Sequence, residues 1–317
     1  MATATVAGFT AADITAASVA AGAGGRVLFP AGAYNATGLQ NTVADQTWEL
    51  ERYAVLEKPA SANADAILTN LAQGFRLRGG KIRDALTNTT PRGIKSEGYS
   101  LDVRDVQIED VRGWGIVGGD AAMTLSEVTV RDSAHGGVFW NSVTTMRGPD
   151  IDRVSVYKSN PSKYASHGGI HVRTSGTLWT HWNQGTKITN CYVELPTGTQ
   201  ADNVGIDVWQ GQSPLVENNK VYSGRICYSL YACQFHNLTK NFAFAGADYA
   251  YELADLSYGD ASHNTARGWG VGLNYGFELN NHSVYNNIIY NRLIGFSGYG
   301  GQDYHASADS TPNNIVT

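Results

Sequence analysis

The chain has 317 residues, of which 16% are charged, and its formal net charge is −5. Acidic and basic residues are mixed along the chain without a basic run, which excludes nucleic-acid binding as a main function and weakly disfavours a polyanionic substrate. The low charge and the 36 glycines favour many short strands joined by tight turns.

The N-terminal segment has neither the positive start nor the apolar centre of a secretory signal peptide. Residues 10–21 are small and Ala-rich, and a strand-like segment that reads RVLFPAGAY follows over residues 26–34. We predict a helical cap within residues 1–25 and one extended β domain over residues 26–317. Since no apolar run approaches the ~18 residues of a membrane span, no membrane partner is expected.

A short apolar pattern recurs: an apolar residue, a second position three residues later, and a small apolar residue two further on. Its first positions are Leu77, Val103, Leu125, Ile151, Ile188, Val216, Leu238, Ala261 and Val284. Successive repeats start 22 to 28 residues apart, except for one gap of 37 residues. Helix-pair repeats need ~30–45 residues with a 3.6-residue period. The spacing therefore predicts stacked coils of a three-sided solenoid, about ten in all.

The middle position of the later repeats is asparagine. These residues are Asn219, Asn241, Asn264, Asn287 and, in an incomplete last coil, Asn314. A buried asparagine is costly unless its amide is hydrogen-bonded, and identical side chains stacked coil upon coil satisfy one another. We therefore predict an asparagine ladder at a bend of the solenoid.

With this ladder and its opening segment, residues 10–34, the chain resembles the pectate-lyase superfamily, which includes phage tailspike domains and carbohydrate-active enzymes. The resemblance implies an all-β, right-handed, single-stranded parallel β-helix with a short N-terminal helical cap. It also implies a polysaccharide substrate, an extracellular or virion-associated location and, by analogy with tailspikes, a homotrimer. Fold alone does not define the chemistry.

A second set of strands alternates with period 2 between the repeats, so every other side chain points outward. One outward column is predicted to be Val117, Phe139, His171, Asp207, Ser229, Glu252 and Glu278. Its neighbour is Asn141, Arg173, Trp209, Tyr231, Ala254 and Asn280. With coils ~4.8 Å apart, these columns predict an exposed wall whose aromatic rings stack on sugars and whose charged groups hold hydroxyls.

The longest gap between repeats lies in the coil that carries His171 and Arg173. The segments around these two residues contain Lys163, His167, Trp179 and Trp182. Long loops on a rigid scaffold commonly carry function. We therefore predict that these four residues, with Arg173, Trp209 and Tyr231, bind the substrate.

Glycoside hydrolysis needs two carboxylates, and ~6.5–9.5 Å between them favours inversion. Asp207 and Glu252 are the predicted acid/base pair, two coils and about 9.6 Å apart along the axis. Glu278 is predicted to tune the pKa of this pair or to bind the substrate. His171 is the fourth residue predicted to be catalytic. An inverting mechanism is favoured, without a metal or other cofactor.

Two alternatives stay open. In a lyase, His171 or Tyr231 would remove the C5 proton, while Arg173 or Lys163 would neutralise the uronate. The resemblance then implies Ca²⁺ held by the acidic column. The other alternative is a spike or adhesin that binds glycans without cutting them.

The chain contains three cysteines, Cys191, Cys227 and Cys233, which are too few for a disulfide framework. Free thiols in the core are favoured for all three. Pairing of Cys227 with Cys233 remains open.

Overall fold

The computed structural model of the protein describes most of the chain. The described residues are 1–58, 65–84, 92–157, 168–175, 180–196, 203–222, 224–244, 249–254, 257–267, 271–275, 280–285, 288–290, 294–298 and 315–316. Side chains are described up to residue 267, except those of residues 257 and 258. In this part of the chain, no helix has the length and apolarity needed to cross a membrane.

The N-terminal cap is an α-helix, Ala11–Ala21. Thr10 begins it with a capping box, in which its hydroxyl accepts from the Asp13 N–H and the Asp13 carboxylate accepts from the Thr10 N–H. Ile14 and Ala17 are buried against the first coil, and the Ser18 hydroxyl donates to Gln46. The predicted helical cap is thus present and covers the apolar end of the solenoid.

Three parallel sheets form the walls of a right-handed β-helix, and each coil passes through the three walls in turn. Sheet 1 comprises Thr3–Thr5, Arg26–Phe29, Thr47–Leu50, Phe75–Arg78, Leu101–Arg104, Met123–Ser126, Met146–Arg147, Asp150–Asp152, Asn183–Gln184, Lys187–Thr189, Gly211–Gln212, Leu215–Glu217, Gln234–Thr239, Ser257–Ser262 and Asn280–Tyr285. Sheet 2 comprises Gly32–Asn35, Ala54–Lys58, Lys81–Asp84, Gln107–Glu109, Thr129–Arg131, Ser155–Tyr157, Tyr192–Glu194, Lys220–Tyr222, Phe242–Phe244, Thr265–Arg267, Ile288–Tyr290 and Ile315–Val316. Sheet 3 comprises Leu39–Asn41, Ala66–Asn70, Arg92–Glu97, Trp114–Gly119, Gly136–Ser142, Gly168–Thr174, Val204–Trp209, Ile226–Tyr231, Tyr249–Ala254, Val271–Tyr275 and Ile294–Gly298.

The register of sheet 1 follows the sequence repeat residue by residue. Leu77 pairs with Val103, which pairs with Leu125, and the column continues to Val284. The third positions of the repeat pair in the same way in sheet 2, from Ile82 to Ile289. The predicted all-β solenoid is therefore confirmed.

The asparagine ladder lies at the bend between sheets 1 and 2. The amide nitrogen of Asn219 donates to Oδ1 of Asn241 over 3.0 Å, and that of Asn241 donates to Oδ1 of Asn264 over 3.1 Å. The residue before each asparagine has a positive φ of 55° to 56°. This left-handed residue makes the bend tight, and the ladder satisfies the backbone groups that the bend leaves unpaired. Asn287 and Asn314 lie outside the described residues.

A second ladder, which the sequence analysis did not predict, lies at the end of sheet 3 in the early coils. The Asn41 amide donates to Asn70 over 2.9 Å, and the Asn70 amide donates to the Ser96 hydroxyl over 2.9 Å. The three cysteines are buried free thiols, so Cys227 and Cys233 do not pair. Burial raises the pKa of the Cys233 thiol to about 12, which makes it an unreactive core residue.

Candidate functional site

The predicted outward column lies on sheet 3. Hydrogen-bonded strands place Phe139, His171, Asp207, Ser229 and Glu252 side by side in this order. The inward neighbours, among them Ile170, Ile206 and Tyr228, are fully buried in the core.

In the coil after Glu252, the residue in the outward column differs from the prediction. Asn274, in the strand Val271–Tyr275, pairs with Glu252 and occupies the position that was assigned to Glu278. The assignment of Glu278 to this register is therefore wrong, and Glu278 itself lies outside the described residues. Three predicted substrate-binding residues, Lys163, His167 and Trp179, also lie outside them.

The exposure predicted for His171 and Asp207 is wrong as well. Their side chains are only 2% and 1% exposed, although both point away from the core. Trp114 packs on His171 with 5.2 Å between ring centroids. Arg173 lies on Asp207, with both Nε and Nη2 2.8 Å from Oδ2. Neighbouring side chains therefore bury two members of a column that backbone alternation alone would expose.

Trp114 reaches His171 because glycines make room for it. A Cβ on Gly136 would come within 2.2 Å of the indole, and one on Gly168 within 2.5 Å. The strand register places Trp114, Gly136 and Gly168 in one column over three successive coils. The sequence analysis did not identify Trp114, although these aligned glycines were a signal of a large side chain lying across them.

The contacts of His171 indicate which ring nitrogen carries the proton. Nε2 lies 3.1 Å from the Val204 carbonyl oxygen, which can only accept. Nδ1 lies 3.3 Å from Nη2 of Arg173, which can only donate. Both contacts are satisfied when neutral His171 carries its proton on Nε2. The histidine therefore holds Arg173 and has no ring nitrogen free to act as a base.

Asp207 is the buried carboxylate of the site. Burial raises its pKa from 3.8 to about 6. The Arg173 charge, and to a smaller extent the nearby Ser229 and Trp209 side chains, act in the opposite direction. Oδ1 of Asp207 has no hydrogen-bond partner among the described residues. A carboxyl group with these properties is partly protonated near neutral pH and can donate a proton.

A groove of about 470 Å³ lies on the outer face of sheet 3, and we call it the sheet-3 groove. Its lining residues are Phe139, Asn141, Arg173, Thr174, Ser175, Trp209, Gln210 and Tyr231. Trp209 lies between Arg173, whose guanidinium is 4.7 Å from the ring centroid, and Tyr231, whose ring centroid is 5.1 Å away. In the next coil Tyr231 pairs with Ala254, which has no ring to continue the aromatic stack.

The remaining predicted residues with described side chains, Glu252 and Trp182, are not among the lining residues of the groove. Glu252 is half-buried and stands two strands from Asp207, with Ser229 between them. Trp182 is half-buried, and its backbone contacts Thr145 and Met146. It is absent from the described lining of the sheet-3 groove. No group of three or more potential metal ligands occurs among the described residues.

Comparison with known proteins agrees with this architecture. The family model described as "right handed beta helix region" matches residues 114–315, and the chain belongs to that family. No curated protein sequence matches the chain.

Similar solved structures include two enzymes and an adhesin. The A-module of mannuronan C-5 epimerase AlgE6 from Azotobacter vinelandii has a TM-score of 0.63 and 14% identity, covering 97% of this chain and 95% of its own. The alginate lyase of Paenibacillus sp. str. FPU-7 has a TM-score of 0.59 and 14% identity, with 87% and 99% coverage. PfbA, a surface adhesin of Streptococcus pneumoniae, has a TM-score of 0.57 and 14% identity, with 87% and 85% coverage. At such identity the likeness shows the fold alone.

Proposed function

We propose that the protein is a polysaccharide-degrading enzyme that hydrolyses a glycan chain held in the sheet-3 groove. One observation carries the proposal: the buried carboxyl of Asp207, with a pKa raised to about 6, lies directly beneath groove residues Arg173 and Trp209. The mannuronan epimerase and the alginate lyase of similar fold act on glycans, which is consistent with a glycan substrate here.

In this mechanism Asp207 is the general acid and Glu252 the general base. The two residues are two strands apart, so their backbones are about 9.6 Å apart along the axis. Inverting enzymes hold their two carboxyl groups ~6.5–9.5 Å apart, a range that side chains leaning towards each other can reach. Ser229, whose small side chain is buried, stands between them on the intervening strand. Asp207 protonates the leaving oxygen, and Glu252 activates water on the opposite face of the ring.

The acid must be uncovered before it acts. Asp207 is 1% exposed, whereas Arg173 is 26% exposed and its guanidinium forms part of the groove wall. Substrate hydroxyls that bind Arg173 draw it away from Asp207. Loss of that positive neighbour raises the pKa of Asp207 further, so proton donation is coupled to glycan binding.

A lyase is the second candidate, because Arg173 and Tyr231 both line the groove. In β-elimination Arg173 neutralises a uronate carboxylate and Tyr231 removes the C5 proton. The contacts of His171 disfavour it as that base. Asp207 and Glu252 do not fit a Ca²⁺ site for this second candidate, because they are two strands apart, Asp207 pairs with Arg173, and the described residues contain no group of three or more potential metal ligands.

Product analysis on a panel of bacterial capsule and plant polysaccharides tests the proposal. New reducing ends without the ultraviolet absorbance of an unsaturated uronate support a hydrolase, and added absorbance supports the lyase. Binding without either product identifies a glycan-binding adhesin and refutes both enzymes. Asp207→Asn is the matched inactive control. An extracellular or virion-associated location and a homotrimer remain part of the proposal.

A further inference from the structure

A second and larger groove, of about 610 Å³, lies at the corner between sheets 1 and 2 in the N-terminal coils. We call it the corner groove. Three successive coils line it, with Tyr53 in the first, Gly79 and Gly80 in the second, and Gln107 in the third. It ends one coil before the sheet-3 groove begins and lies on another side of the solenoid.

The corner groove exists because adjacent corners differ in length and side-chain size. In the first coil, Glu51 to Tyr53 form an exposed turn between two strands. In the second coil the corner is Gly79 and Gly80, with φ values of 69° and 70°. A Cβ on Gly80 would come within 2.3 Å of Leu50, so side chains are excluded there. The corner at Gly79 and Gly80 therefore forms the bottom of the groove, and the turn at Glu51 to Tyr53 protrudes beside it.

The walls of the corner groove carry an exposed ring and polar groups open to a ligand. Tyr53 is 70% exposed, and the Arg52 guanidinium lies 5.5 Å from its ring centroid. The side chains of Arg52, Asp105 and Gln107 are exposed and form no hydrogen bond or ion pair with another described residue. An aromatic face flanked by a guanidinium, a carboxylate and an amide offers both a stacking surface and hydroxyl partners.

We infer that the corner groove is a second glycan-binding site, which holds one or two pyranose units and has no catalytic role. A sugar ring places its C–H face on Tyr53, while its hydroxyl groups bond to Asp105 and Gln107. The described lining contains a single carboxylate, Asp105, whereas hydrolysis requires two. The site anchors a long polysaccharide at a distance from the sheet-3 groove.

Affinity electrophoresis through gels that contain dextran, xylan or polygalacturonate tests this inference. All proteins carry Asp207→Asn to prevent cleavage. Tyr53→Ala is expected to reduce retardation about fivefold in the gel that retards the parent, and its effect should add to that of Tyr231→Ala. The control is Phe235→Ala, which removes a ring that is 54% exposed on sheet 1.

The inference is overturned if Tyr53→Ala changes retardation in none of the gels, or if Phe235→Ala reduces it equally. The two proposals fail separately. Cleavage by the wild type without any effect of Tyr53→Ala refutes only the corner site. Retardation that depends on Tyr53, with no cleavage of any polysaccharide, refutes only the enzyme.

Discussion

Arg173 directs both Nε and Nη2 to the same carboxylate oxygen of Asp207, at 2.8 Å each. Oδ2 is thereby engaged, whereas Oδ1 has no hydrogen-bond partner among the described residues. The pair joins a buried acid to a residue that lines the sheet-3 groove. The charge state of Asp207 therefore depends on where the Arg173 side chain lies.

The pH profile of turnover reports on this pair. A general acid must be protonated, and the pKa of Asp207 is about 6, so kcat/KM is expected to fall as the pH rises above about 6. Arg173 lowers this pKa, so Arg173→Gln should move the alkaline limb to higher pH while raising KM. Initial rates measured between pH 4 and pH 9 check both expectations. If the alkaline limb of the pH profile does not move in Arg173→Gln, a group other than the Asp207–Arg173 pair controls that limb.

Glu252 is the proposed base. Glu252→Gln keeps the shape but cannot accept a proton, so turnover should fall at least ~100-fold, as removal of a general base typically does. Glycan affinity should stay within about twofold. The matched control is Glu217→Gln on sheet 1, which removes a carboxylate that pairs with Lys240 far from the sheet-3 groove. Full activity in Glu252→Gln would remove Glu252 from the mechanism.

Tyr231 is proposed to stack on the substrate. Aromatic contacts contribute ~0.5–1.5 kcal/mol, so Tyr231→Ala should weaken glycan binding about tenfold at most, with folding intact. Tyr222→Ala is the control, because Tyr222 is also half-buried in an outer aromatic stack but lies on sheet 2. Calorimetric titration of the Asp207→Asn protein measures both effects. Equal losses in the two variants would contradict a specific role for Tyr231.

The asparagine ladder is expected to stabilise the later coils. Asn241 accepts from the Asn219 amide and donates to Asn264 and to the Val216 carbonyl. Asn241→Ala leaves several buried polar groups unsatisfied, at a cost of ~1–3 kcal/mol for each. The midpoint of urea denaturation should fall clearly. Asn237→Ala, at an exposed position of the sheet-1 strand that precedes this bend, should change it little.

A buried ion pair in the early coils offers a second test of stability. Lys58 and Asp84 are 3.3 Å apart, and both side chains are 0% exposed. Lys58→Met removes the cation from a buried carboxylate and should cost ~3–5 kcal/mol. The double variant Lys58→Met/Asp84→Leu should recover most of that loss. If the double variant is no more stable than Lys58→Met, the cost arises from packing rather than from charge.

The amino-acid sequence alone determined the solenoid, the register of sheets 1 and 2, and the asparagine ladder between these two sheets. Each coil repeats an apolar, inward-facing residue at a similar spacing. The column from Leu77 to Val284 can therefore be aligned from the sequence alone. A period that matches one coil leaves few other ways to bury those side chains. The ladder at Asn219, Asn241 and Asn264 follows, because buried amides at the same position of successive coils can donate to one another.

Tertiary structure decided the environment of the site. Alternation places His171 and Asp207 on the outer side, but Trp114, two coils before His171, and Arg173 bury them. Tertiary structure also decided which residue follows Glu252 in the outward column. The sequences of 271–275 and 277–279 both alternate in polarity, and only the long-range strand pairing selects Asn274. Burial and pKa depend on neighbours from other coils. Local periodicity does not contain that information.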